Sequence, residues 1–223
     1  MYKVIIKFIL RLHTFFYRLS GIFSVKAEGG VHPKHRLMDY HRFFIDNINL
    51  GDNILDIGCG NGFLAYDLAK KAKMVVGIDL DERSIGFAKK RFSASNIKYL
   101  VGDALKDLPV GDFDAIVLSN VLEHIEDRVK FLKEIKTKAK KILIRVPMIN
   151  RDWITLYKKE LGLEWKSDRS HFTEYTLESF KNELEKAGLN LIKYSIQFGE
   201  IWAISNKNIL VESKELTSRN LNS

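Results

Sequence analysis

The sequence has one cysteine and three prolines in 223 residues. A lone thiol, Cys59, cannot form an internal disulfide and fits a reducing, cytoplasmic setting. Scarce proline beside a hydrophobic fraction of 46% argues against a disordered chain. Neither C-x-x-C nor H-E-x-x-H occurs, so no metal site is expected. There is no internal repeat and no low-complexity tract. Acid is in short supply as well: 28 Asp and Glu stand against 36 Lys and Arg, a net charge of +8. Such an excess raises nucleic acid and anionic membrane as partners. Much of it lies in the first 42 residues and in Lys133–Lys141, away from the glycine-rich stretch described next. The second cluster reads as solvated helix faces, and nucleic acid is not expected as a partner.

What the chain does have is a length suited to one α/β domain with modest additions. Its organising stretch runs from Asn53 to Ala65. Ile54, Leu55 and Ile57 read as a strand buried on both faces of a parallel sheet. Asp56 breaks this run near the strand's carboxyl end, where open α/β sheets bind their ligands. Gly58, Gly60 and Gly62 follow, around Cys59 and Asn61, before a helical pattern begins at Phe63. Glycines permit tight turns and close approach of a ligand to backbone. A carboxylate beside them repels a pyrophosphate but suits an ammonium group or hydroxyls, and the spacing departs from G-x-G-x-x-G. Cys59 reads as a small packed residue, because no partner base accompanies it.

This stretch resembles motif I, D-x-G-x-G-x-G, of the class I (Rossmann-like) S-adenosylmethionine-dependent methyltransferases. Further along, F-D-x-I-x-x-S-x-V-L-E-H-I over Phe113–Ile125 is similar to motif IV of many small-molecule methyltransferases, and the resemblance spans roughly Asn53 to Asn206. It implies an α/β fold: a seven-stranded, mostly parallel sheet with helices on both faces and the last strand antiparallel. It also implies S-adenosylmethionine as cofactor. Asp56 and Gly58 to Gly62 would lie along its methionine part, and Asp79, ending the strand Met74–Leu80, would hold the ribose. Leu80 would pack on the adenine, Asp103 and Ala104 would fix the adenine edge, and Asn120 would approach the sulfonium through its backbone. Taken alone, Asp103 serves equally well as a turn residue. Asp81 is available to cap the next helix, which leaves Asp79 for the ligand.

Helices are expected over Phe63–Lys73, Glu82–Ser93, Arg128–Lys138 and, capped by Thr176, Leu177–Ala187. Leu37, Tyr40, Phe44 and Ile48 recur at helical spacing and place one helix over the sheet edge. It carries basic residues and histidines, read either as a lip over the active site or as an ordinary surface helix. Residues 148–175 interrupt the β/α alternation and read as a substrate-facing insertion. Methyl transfer from a sulfonium needs an in-line acceptor and removal of one proton. His124 and His171 are the candidate bases near pH 7, each with a structural role as the alternative, and Glu123 is a third candidate.

The chain therefore divides into a basic amphipathic helix (1–26), the methyltransferase-like domain (27–211) and a polar tail (212–223). In the first segment Lys3, Lys7, Arg11 and Arg18 share one narrow helical face with Thr14, and apolar residues fill the rest. A charge in nearly every turn argues against a spanning helix. Two readings stay open: peripheral contact of residues 2–23 with the inner membrane face, or a cap on the domain or a second subunit. The expected activity is O-methylation of a small-molecule, glycan or lipid-linked acceptor. A quinone or lipid methyltransferase is the alternative within enzymes. A cofactor-binding partner subunit without transfer activity is a second class of reading, and an RNA methyltransferase a third.

Overall fold

The computed structural model describes residues 1–207. Among them one sheet contains β1 (Asn53–Ile57), β2 (Met74–Asp79), β3 (Ile97–Val101), β4 (Phe113–Ser119), β5 (Ala139–Pro147), β6 (Leu189–Gln197) and β7 (Glu200–Lys207). Their spatial order is β3-β2-β1-β4-β5-β7-β6. The first five run parallel, and β7 is antiparallel to both β5 and β6. The expected seven-stranded sheet and its reversed last strand are present. The chain runs outward from β1 through β2 to β3, then returns to place β4 on β1's other side, with Ile57 beside Leu118. This reversal opens a crevice at the carboxyl ends of β1 and β4, where a ligand finds room.

Period-two alternation sorts each strand between two cores. Leu55 and Ile57 of β1, with Ile116 and Leu118 of β4, face a core closed by α6 (Arg128–Ile135) and α8 (Leu177–Lys186). Ile54, Ala115 and Val117 face the opposite core, closed by α4 (Phe63–Ala69) and α5 (Glu82–Arg91). Burying a Leu or Ile side chain contributes about 1.5–3 kcal/mol, so a slip of one residue in β1 would exchange the contents of both cores. Asp81 caps α5, accepting from the backbone N–H of Arg83 and Ser84. Thr176 caps α8 in a reciprocal capping box with Ser179.

Several boundaries differ from expectation. The helix proposed through Leu37 to Ile48 is two helices, α2 (Lys34–Met38) and α3 (Tyr40–Asp46), split where Asp39 adopts a left-handed φ of 47°. The break leaves Leu37 exposed while Tyr40 and Phe44 turn inward. Helices α4 and α6 end before Lys73 and Lys138, because the chain must already be entering the next strand: Lys73 N donates to Asp52 O and Phe113 N to Lys138 O. The N-terminal helix α1 runs from Tyr2 to Ala27. The polar tail at 212–223 lies outside the described residues. In the insertion, α7 (Trp153–Glu160) is ordered, and its base is closed by Tyr175 N donating to Pro147 O and Ile149 N to Tyr175 O.

A buried ion pair ties these parts together. Arg145 on β5 is 2% exposed and makes a forked contact to Glu200 on β7. Its guanidinium lies 3.7 Å from the centre of the Tyr40 ring on α3, which clamps the lip to the sheet.

Candidate active site

The glycine turn leaves β1 at the crevice. Gly58 and Gly62 take left-handed φ of 68° and 79°. A Cβ at Gly58 would come within 2.7 Å of Val121, and one at Gly62 within 2.6 Å of the Tyr99 hydroxyl. Gly60, by contrast, faces open space, so a ligand can approach its backbone. Asp56 is fully enclosed, and its Oδ2 has no hydrogen-bond partner. Burial, followed by the neighbouring Asp79 carboxylate, pushes its pKa up to about 8. An acid left so uncomfortable is completed by a cation or a donor arriving from outside. Asp79, at the end of β2, accepts from Gly60 N (2.8 Å) and Asp81 N (2.9 Å).

Two hollows meet at Gly58. One, of about 420 Å³, runs past Asp79, Leu80, Asp103, Ala104, Asn120 and His124. Leu80 is 72% exposed there, an apolar platform open to a flat ring. The other, of about 270 Å³, joins Asp56, Cys59, Gly60 and Asn61 to His32, His35 and Tyr40 of the N-terminal lip. The lip thus borders the crevice. Gly62 lies apart from both hollows, packed against Tyr99 and Ala88. Cys59 packs its sulfur behind Gly77, and burial pushes its thiol pKa up. Asp103 accepts from Leu105 N (2.9 Å) and meets Lys106 at 3.3 Å, so it shapes its own turn while lining the cleft.

At the far end of the cleft, the chain turns sharply after β4. Asn120 holds a φ of 58° and donates through Nδ2 to Glu123 Oε1 at 2.8 Å. Glu123 sits in a short 3-10 turn, fully buried, with Oε2 unpartnered; burial raises its pKa to about 7. Its backbone carbonyl accepts from Phe172 N at 2.7 Å, which pins the insertion onto this turn. The His171 and His124 rings therefore meet edge to face with centroids 4.6 Å apart. All three candidates for proton transfer come together at one place.

The partners of these rings were not foreseen. Ser170 Oγ donates to Asp168 (2.7 Å) and lies 3.0 Å from His124 Nδ1. His171 Nδ1 lies 3.1 Å from Glu174 Oε1. Burial opposes the Glu174 charge, but donors from His171 and Ser167 and the charge of Arg151 outweigh it and hold its pKa below the ordinary value. For His124, burial and then the neighbouring His171 lower the pKa below 6.5. A polar cluster inside the Asp168–Glu174 segment, with acids three residues either side of His171, was the available signal.

Residues 55–141 match a family model described as a methyltransferase domain. An uncharacterized methyltransferase of Mycobacterium tuberculosis is 40% identical over 75 residues, 33% of this chain and 38% of that protein. A ubiquinone biosynthesis O-methyltransferase of Bartonella quintana is 31% identical over 154 residues, 62% of this chain and 60% of that one. The chain thus spans less than two thirds of the length of these curated relatives. Among solved structures, magnesium protoporphyrin IX methyltransferase of Synechocystis with bound SAH superposes with a TM-score of 0.60 at 18% identity, over 78% of this chain and 83% of that chain. The fold is that of the class I Rossmann-like methyltransferases.

Proposed function

We propose that this chain, with its methyltransferase domain over residues 55–141, transfers a methyl group from S-adenosylmethionine to an oxygen of a small or lipid-linked acceptor. The observation that carries this reading is Asp56: a buried carboxylate with a free oxygen, beside an open glycine turn and a second strand-end acid. Such a place rejects phosphate and accepts an ammonium and hydroxyls. The cofactor's methionine part lies along Asp56 and Gly58–Asn61, its ribose at Asp79, and its adenine on Leu80 beside Asp103 and Ala104. Asn120 stands near the sulfonium. The leaving group is a neutral thioether, so the protein contributes alignment, exclusion of water and removal of the acceptor's proton. Glu123, His124 and His171 stand where that proton leaves.

The acceptor side favours a substrate delivered at a membrane surface. Helix α1 turns Leu10, Thr14 and Arg18 toward the domain and leaves Phe8, Phe15, Phe16, Ile22 and Phe23 more than half exposed. It carries five Lys or Arg and no acid, which complements anionic lipid. His13 of α1 lies 3.1 Å from Lys158 of α7, so the helix is seated on the insertion with its apolar face turned outward. No helix among the described residues is long and apolar enough to cross a membrane, and the contact is in-plane.

The test is tritiated methyl transfer into membrane and soluble fractions, with the full chain and with a variant lacking residues before Ala27. Transfer into lipid extract that drops on truncation supports the reading. Cofactor binding without transfer into any fraction favours a partner subunit, and unchanged transfer to soluble acceptors alone removes the membrane contact.

A further inference from the structure

We propose that Glu123, His124 and His171 form a binding site for one divalent transition-metal ion, of the Zn²⁺ or Mn²⁺ class, which holds the acceptor oxygen beside the transferred methyl. The role assigned to the ion rests on the methyl-transfer reading above; its binding does not.

Each of the three residues offers a ligand atom within 4.8 Å of the other two. Around a tetrahedral ion with bonds near 2.1 Å, ligand atoms stand about 3.4 Å apart, so modest closure completes the set. The hydrogen-bond network prepares both rings. Ser170 spends its hydroxyl proton on Asp168, so its oxygen accepts from His124 Nδ1–H. Glu174 already accepts from Ser167 N, Ser167 Oγ and Arg151, so it meets His171 Nδ1 as an acceptor as well. In each ring the proton is fixed on Nδ1, which leaves the Nε2 lone pair free. This is how metal-binding histidines are oriented, with a carboxylate or hydroxyl behind the ring. Glu123 contributes Oε2, buried and without any donor, while Asn120 holds its other oxygen. Three ligand groups thus converge, and the Glu123 oxygen among them lacks any partner in the described residues. A cation resolves that shortage at once, and two imidazoles with one carboxylate suit a borderline ion with open positions. The sequence conceals such a site because His171 reaches the adjacent Glu123–His124 pair only through the fold.

His124 also lines the cleft that contains Gly58 and Asn120, so the ion's open position faces the cofactor's reactive end. An acceptor hydroxyl bound there loses its proton to water. Its oxygen electron pair then forms the O–C bond while the C–S⁺ bond breaks, and that electron pair stays on sulfur as the neutral thioether. Bound metal lowers the pKa of an attached oxygen ligand, so neither histidine needs to act as a free base.

The test uses full-length protein stripped with a chelator. Co²⁺ is titrated in and its visible absorption recorded, followed by competition with Zn²⁺, and S-adenosylmethionine binding is measured separately by calorimetry. The expected result is saturable one-to-one binding, weakened at least tenfold in His124→Ala and in Glu123→Gln, and about tenfold in Glu174→Gln. Cofactor affinity should stay within a few-fold in Glu174→Gln, whose side chain does not line that cleft, and the exposed side chain of His124 makes misfolding of His124→Ala a small concern. Absence of saturable binding, or equal Co²⁺ affinity in wild type and His124→Ala, overturns the proposal. If Co²⁺ binds and the cofactor does not, the ion site stands and the methyl-transfer reading falls; methyl transfer at full rate without the ion sinks the proposal alone.

Discussion

The two ends of the cleft are built in different ways. At the end proposed for the cofactor, Asp56, Asp79 and Asp103 each sit at or just past the carboxyl end of a neighbouring strand, so sheet topology alone aligns them. At the end proposed for the acceptor, Glu123 and His124 come from a turn after β4, whereas His171 arrives from the insertion, which is held there by Phe172 N and Thr173 N donating to Glu123 O. The first end is a property of the fold; the second is a property of one attachment. The cofactor end should therefore tolerate change in the insertion, while the acceptor end should fail with few changes and leave the fold intact.

The joint beneath both ends should give the largest effect. Glu200→Gln leaves Arg145 buried without its charge partner and should cost about 3–5 kcal/mol of stability by denaturant unfolding. It should loosen the lip that Arg145 holds through Tyr40. The acceptor end breaks by itself in His171→Ala: turnover should fall about 10²–10⁴-fold, with cofactor affinity measured by calorimetry unchanged. Equal loss of cofactor affinity would mean that the two ends are not separable.

A pH experiment sharpens the cofactor end. The folded apo protein raises the Asp56 pKa to about 8, above its unfolded value near 3.9. This group therefore favours folding fully at acid pH, and its contribution is lost as pH rises through about 8. An ammonium ligand needs the ionised form, so cofactor affinity should rise up to about tenfold per pH unit as pH approaches 8. Proton release should appear in calorimetry as a dependence on buffer ionisation heat. Smallest of all, Thr176→Ala removes the cap of α8 and should cost about 1 kcal/mol with neither end altered.

The same contrast explains what could be read in the sequence. The β1 and β4 alternation, the turn at Gly58–Gly60 and the capping by Asp81 and Thr176 are local, so adjacent residues declare them. The break at Asp39 could not be read, because Leu37, Tyr40 and Phe44 keep helical spacing across it; the gain comes from seating Tyr40 under Arg145, far away in sequence. Gly62 was assigned to the ligand from its motif, yet its neighbours are Tyr99 and Ala88. Glu174 and Ser170 went unnoticed since their meaning depends on which histidine stands in front of them. Asp103 holds its own turn and also lines the cleft.

The central claim is that the strand-end acids form the cofactor site. Titration of S-adenosylmethionine into the full chain and into Asp79→Ala by calorimetry tests it directly. The loss of a carboxylate gripping ribose hydroxyls should weaken binding about 100-fold, roughly 3 kcal/mol, beyond the small loss of apo stability from the two backbone hydrogen bonds that Asp79 accepts. Equal affinity in the two proteins, or no binding to the wild type, would contradict the account.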